Sequence, residues 1–209
     1  LYVLVNLPLV TGGLADAGLT YITRNFAREK HAFISSDFFD TIKKNWKQAL
    51  PVGIINLLLT LLISFDVWYF YAAADGIGGY IMLGIIAGIY IVFTFMKYYM
   101  SMMIITFKLS LKQIYKNSLI FAFAGLWRNL LISVVLLFFY GLAALLIFLL
   151  PFVFIPVVCL FYIFIFPAFR SFLIQYNIFP LVKKHMIDPY YEAHPEDDIK
   201  ARHDLNLDA

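Results

Sequence analysis

The sequence predicts an all-α fold: a polytopic transmembrane helix bundle of five or six spans, the first truncated, with interfacial amphipathic helices beside it. Three observations carry this. Residues 129–169, bounded by Arg128 and Arg170, contain no Asp, Glu, Lys, Arg or His. A bilayer core is about 30 Å thick and a helix rises about 1.5 Å per residue, so about 20 apolar residues cross it once and this run is long enough to cross twice. The chain of 209 residues is 63% hydrophobic and 14% charged, where soluble domains are about half apolar and a quarter charged. Finally, basic connections (24–47, 108–128, 170–184) alternate with connections that lack Lys and Arg (72–79, 150–152). The positive-inside rule places the basic set, and with it the C-terminus, in the cytoplasm.

Composition excludes several classes. A net charge of +3, with no Lys/Arg-rich run interleaved with stacking aromatics, argues against nucleic acid as a partner. The 22 Phe and 14 Tyr fit lipid-facing and interfacial positions. The single cysteine, Cys159, lies inside an apolar run, so neither a disulfide framework nor a CxxC metal site is expected. The chain begins at Leu1 within an apolar stretch, which reads as a first helix lacking part of its length.

In order, residues 1–10 end an apolar segment that Pro8 and Gly12-Gly13 interrupt. Residues 14–27 form a helix, read as a short crossing with an interfacial helix as the alternative. Residues 31–50 are polar and basic: Ser36 or Asp37 caps a helix whose stripe is Phe39, Ile42, Trp46 and Ala49, with Asp40 and Lys44 at pair spacing. This is an interfacial amphipathic helix or a solvated connecting one. Residues 51–74 span, with Pro51 in the first turn. Asp75-Gly76-Ile77-Gly78-Gly79 reads as a tight turn and residues 80–107 return. Lys108, Lys112 and Lys116 mark a basic connection, and 118–127 is apolar but short. Residues 130–150 span, Pro151 breaks the helix, and 153–169 return. An amphipathic helix follows over 171–187. From Asp188 the chain holds seven acidic residues against Lys200 and Arg202 and is expected to be disordered. The division is thus a membrane bundle over 1–187 and an acidic cytoplasmic tail over 188–209.

Residues 42–50 echo residues 111–119 at an offset of 69. Two interfacial helices converging on one pattern is the favoured explanation; an internal repeat, as in transporters, is the alternative.

Charges inside spans are the default functional candidates. Asp66 and Lys97 lie at different depths, so they are not expected to pair. Lys97 is expected to snorkel toward the basic end and join Lys108, Arg128 and Arg170 in a belt contacting anionic lipids. Asp66, among Phe65, Trp68 and Tyr69, is expected at the outer interface, or against a partner helix or sugar. Gly84 and Gly88 form GxxxG, expected to pack within the chain or against a partner helix. Phe179, Tyr190 and Tyr191 are candidate apolar anchors for a partner, with Glu196-Asp197-Asp198 steering toward a basic surface. His185, His194 and His203 are too widely spaced for a metal site. The chain has no GxxxxGK[ST], HExxH, GxSxG or paired-carboxylate motif, so no catalytic residue and no cofactor is assigned.

Several stretches resemble the YesL family of bacterial membrane proteins, a family of unknown function numbered six hundred and twenty-four in the domain-of-unknown-function series. They are Leu7-Pro8-Leu9-Val10-Thr11-Gly12, Ala17-Gly18-Leu19-Thr20-Tyr21, Asp37-Phe38-Phe39 and Lys44-Asn45-Trp46-Lys47-Gln48-Ala49. The resemblance continues through Leu126-Trp127-Arg128-Asn129-Leu130 and Phe179-Pro180-Leu181-Val182-Lys183-Lys184, and stops before the acidic tail. It implies a multi-pass protein of the bacterial cell membrane. It further implies a non-catalytic accessory role beside a carbohydrate ABC importer, with that importer's permease subunits as partners. An independent small transporter and, more weakly, a membrane enzyme acting on lipid or glycan are the alternatives.

Overall fold

Long apolar runs punctuated by Pro, Gly and charge clusters fold into helices throughout. The computed structural model describes residues 1–73 and 76–193, and among them there is no strand. The helices are α1 (Tyr2–Asn6), α2 (Gly12–Ala27), α3 (Ile34–Ala73), α4 (Gly76–Thr106), α5 (Leu111–Ala124), α6 (Leu126–Leu149), α7 (Pro151–Leu160), α8 (Phe166–Val182) and α9 (Asp188–Ala193). Two π-helical stretches, Phe161–Ile165 and Lys183–Ile187, join the last three into one run.

Four of these runs are long and apolar enough to cross a membrane: Ile34–Ala73, Gly76–Thr106, Leu126–Leu149 and Pro151–Ala193. This establishes the all-α polytopic class, with four candidate spans of full length among the described residues. The helix α2 has 16 residues, about 24 Å, which falls short of a bilayer core; it is not one of the four. The 40 residues of α3 reach about 60 Å, twice a bilayer core, so part of the helix extends beyond it.

The boundaries differ from the sequence reading in instructive ways. The amphipathic stretch 34–50 and the span after it form one unbroken helix, because Pro51 removes only one backbone donor. Gly78 and Gly79 lie within the first turn of α4, while Gly76, its first residue, takes the left-handed conformation, φ 65°, that the expected turn calls for; Ala74 and Asp75 fall outside the described residues. Leu150 alone separates α6 from α7, with Pro151 at the first helical position, as the proline predicts. Asp37 caps α3 from inside its first turns, accepting from the Phe33 N–H at 2.8 Å. Asp40 sits 3.9 Å from Lys43, not Lys44.

Prolines 167 and 189 do not end their helices. Each follows a π-helical turn, in which Phe166 N–H reaches the Phe161 carbonyl and Asp188 N–H reaches the Lys183 carbonyl. The widened turn accommodates a residue that has no N–H and a bulky ring. The helix therefore continues through Asp188 to Ala193, and Tyr191 is buried. The expected onset of disorder at Asp188 is corrected for these six residues; 194–209, with Glu196, Asp197, Asp198, His194 and His203, lie outside the described residues.

The chain divides into two compact units, and the boundaries fall within α2 and α3. The first comprises residues 1–18 and 39–124. Its core is the second half of α4, from Phe93 to Ile104, packed on α5 through Ile114, Ser118, Phe121 and Ala122. Tyr99 stacks on Phe121 with centroids 5.4 Å apart. Ser110 and Gln113 make a reciprocal capping box at the start of α5. Asn56 donates to the Met100 sulfur and accepts from Tyr115 Oη at 2.9 Å. Where α2 crosses α3, Gly13 faces Gly53: a Cβ on Gly53 would lie 2.6 Å from the Gly13 nitrogen and 2.8 Å from its Cα. Residues 53–73 and 76–92 bury none of their side chains.

The second unit comprises residues 19–38 and the chain from Gly125. Here α6 packs on α7 and α8. An aromatic cluster joins them, with Tyr162 on Phe166 at 4.4 Å and Phe139 on Phe169 at 4.9 Å. Residues 137–165 again bury nothing.

Candidate functional site

The buried polar side chains of the second unit lie on α2, α6 and α8. Thr20, Thr23, Arg24 and Asn25 on α2, Asn129 on α6 and Gln175 on α8 are all within 4% of complete burial. Thr23 and Ser171 hydroxyls share a hydrogen bond of 2.7 Å. The Asn25 side-chain amide and the Gln175 Oε1 have no hydrogen-bond partner among the described residues. Leaving such groups buried and unmatched is costly, so this is where a bound group would repay most.

Local structure aims the charges. The end of α2 is a Schellman motif: Lys30 N–H bonds the Asn25 carbonyl at 2.9 Å and Glu29 N–H the Phe26 carbonyl at 3.0 Å. Glu29 takes the left-handed conformation, φ 56°, that usually calls for glycine. Arg28, at the helix C-cap, is thereby laid over the Phe179 ring at 4.7 Å, a cation–π arrangement. Arg128, in the first turn of α6, donates from Nη1 to the Asn177 carbonyl at 2.7 Å. Pro180 has no N–H to offer the Tyr176 carbonyl one turn back.

Between these groups lies a cleft of about 370 Å³, lined by Arg28, Arg128, Gln175, Tyr176, Asn177 and Phe179 among others, none acidic. Arg24 lies beneath Arg28 by one helical turn. Burial, then the nearby Arg28 charge, lowers the Arg24 guanidinium to about 10, and burial lowers Arg28 too. Both stay protonated at neutral pH. Two guanidinium groups at the wall, a buried amide acceptor and an aromatic floor suit an anionic group that also carries donors.

Two residues singled out from sequence meet here: Arg128 and Phe179 both line the cleft. The others do not join it. Lys108 is exposed, and Arg170 half-buried away from the lining. Lys97 does not snorkel toward the Thr106 end of α4; its ammonium lies over Phe93 at 5.2 Å and Tyr90 at 6.0 Å, back along the helix, the direction helical side chains naturally take. Asp66 is half-buried beside Phe65 and Tyr69. A Cβ at Gly84 or Gly88 would meet nothing within 4 Å, so this face does not pack within the unit. Tyr190 and Tyr191 contact edge to face at 5.4 Å, with only Tyr191 buried. His185 bonds the Leu181 carbonyl. Sequence reasoning missed Arg28 and Gln175 as site residues, and Gly13 with Gly53 as the helix crossing.

Residues 1–67 match the model of a family described as a protein of unknown function, DUF624. The match takes in α1, α2, the Gly13–Gly53 crossing and Arg28, and stops within α3 before Arg128 and Gln175. No curated protein and no solved structure matches the chain.

Proposed function

We propose that this chain is a non-catalytic accessory or regulatory subunit of a carbohydrate ABC importer in a bacterial cell membrane, and that the whole of it belongs to the YesL-like family. The single observation that supports this reading is how little of the spans the chain covers by itself. In the most apolar window of each candidate span, no more than 11% of residues are buried. The Gly84–Gly88 face, suited to close helix approach, is open. Such surface is completed by lipid or by the helices of another membrane protein. The buried polar residues sit on α2, on α5 and toward the charged ends of longer helices, which favours a partner subunit over a solute pathway through this chain alone. The basic connections and the C-terminus face the cytoplasm in this arrangement.

Purification of the tagged protein from its native membrane, with identification of what accompanies it, tests the proposal. Permease subunits in a fixed ratio are the expected result, with Gly88→Leu lowering their yield. A homo-oligomer that moves solute in liposomes by itself, with no permease attached, overturns it.

A further inference from the structure

The cleft beside Arg28 has an assignable ligand class, whether or not the chain is an accessory subunit. Its walls carry two guanidinium groups from separate elements, Arg28 after α2 and Arg128 in α6. Guanidinium forks match phosphate oxygens in shape and charge. Arg128 already spends Nη1 on the Asn177 carbonyl, which fixes its plane and leaves its other donors for a ligand. The second requirement comes from Gln175. It is 2% exposed, it lines the cleft, and its Oε1 accepts no hydrogen bond among the described residues. A bare phosphate diester has no donor to give it. The ligand must therefore present hydroxyl or ammonium donors next to its phosphate.

The depth of the cleft selects the source. Arg128 is the last charge before the uncharged run 129–169, so it marks the level where the α6 span enters the bilayer. Trp127 beside it is 83% exposed and Tyr176 62% exposed, as aromatics at the headgroup level are. The cleft thus opens where lipid headgroups lie. We propose that it binds the headgroup of an anionic phospholipid whose phosphate diester carries free hydroxyls, for which phosphatidylglycerol is the probe. The phosphate bridges Arg28 and Arg128, and a glycerol hydroxyl donates to Gln175 Oε1.

The test uses the full chain in detergent micelles, with lipid retention followed by native mass spectrometry. Wild-type protein is expected to retain phosphatidylglycerol at least tenfold more tightly than phosphatidylcholine. It should also prefer it several-fold over phosphatidylmethanol, which has the same diester and no hydroxyl. Arg128→Gln is expected to lose about tenfold in phosphatidylglycerol affinity, as does Arg28→Gln, each removing a charge-assisted pair. Lys184→Gln, an exposed charge outside the cleft, should change nothing. Gln175→Leu should erase the preference over phosphatidylmethanol and keep that over phosphatidylcholine. Free glycerol phosphate at millimolar concentration should not displace the lipid. If it does, and no lipid is retained, the site belongs to a soluble phosphate ester and the lipid assignment fails. Equal retention of phosphatidylglycerol and phosphatidylcholine, or loss in Lys184→Gln equal to that in Arg128→Gln, overturns the site itself.

Discussion

Replacing Gly53 by alanine should weaken the first unit where α2 crosses α3. The new Cβ would sit 2.6 Å from the Gly13 nitrogen and 2.8 Å from its Cα. Comfortable contacts of this kind are about 3.5 Å, so the helices must part by about 1 Å. Both opposing atoms are backbone, so no rotamer change relieves the contact. Overpacking of this sort costs about 1–3 kcal/mol, while alanine in a helix recovers about 1 kcal/mol over glycine. The net is a loss of up to about 2 kcal/mol. Gly84→Ala gains the same propensity and meets nothing within 4 Å, so it should stabilise by up to about 1 kcal/mol. The propensity gain is common to both, so the variants differ by the overpacking cost of about 1–3 kcal/mol; at about 2–4 °C per kcal/mol for a chain of this size, this separates them by roughly 2–12 °C. Thermal unfolding in detergent, followed by tryptophan fluorescence, measures this directly. Equal melting of the two, or Gly84→Ala melting lower, would refute the crossing.

Three further outcomes follow from particular contacts. Glu29→Gly should raise stability by up to about 1 kcal/mol, because glycine takes the left-handed C′ position without the side-chain penalty; a lower melting temperature counts against the Schellman end. Tyr191→Ala should cost about 3 kcal/mol by emptying a buried aromatic site, whereas Tyr190→Ala, at a half-exposed position, should cost far less; equal losses would detach α9 from the folded unit. Burial pushes the Tyr115 phenol up to about 12, so its contribution to stability is full below pH 10, where the unfolded chain titrates, and is lost as pH rises from 10 to 12. Tyr115→Phe should flatten that alkaline decline and remove the hydrogen bond to Asn56; an unchanged alkaline profile in the variant excludes this residue as the cause.

Spans were the most legible part of the chain because charge is costly in lipid. The uncharged run 129–169 located these spans, and Pro151 marked the break between α6 and α7. Glycine misled twice. Gly78 and Gly79 resembled a turn by composition, yet they lie within α4, since membrane helices tolerate glycine; only Gly76, at φ 65°, has turn conformation. Gly84 and Gly88 had the spacing of a packing face within one helix, whereas the close approach pairs Gly13 with Gly53, forty residues apart, which spacing within a helix does not reveal. The continuation of the last helix past Asp188 was not legible, because a π-helical turn leaves no composition signature. The cleft was illegible for the same reason as the crossing. Arg28, Arg128 and Gln175 come from three elements and are brought together only by tertiary packing. Arg128 and Phe179 were noticed individually, one as an interfacial cation and one as an apolar anchor, and the fold gives them a common wall.

The electrostatics around α2 say what kind of anion site this is. Burying a guanidinium costs several kcal/mol even after relaxation, about enough to consume much of a domain's net stability. Arg24 nevertheless lies buried one helical turn from Arg28, and the two charges repel. The partial negative charge at the C-terminal end of α2 offsets some of this. The remaining positive potential is built in and does not titrate near neutrality, since Arg24 falls only to about 10. A phosphate diester does not titrate there either. Retention of phosphatidylglycerol should therefore be level from pH 5 to pH 9 and fall with added salt only to the extent that Arg128, the more exposed wall, is screened. A binding step centred in that interval would point to a histidine and away from the arginine cleft. The chain would then have to hold its anion elsewhere, with the buried Gln175 acceptor still unanswered.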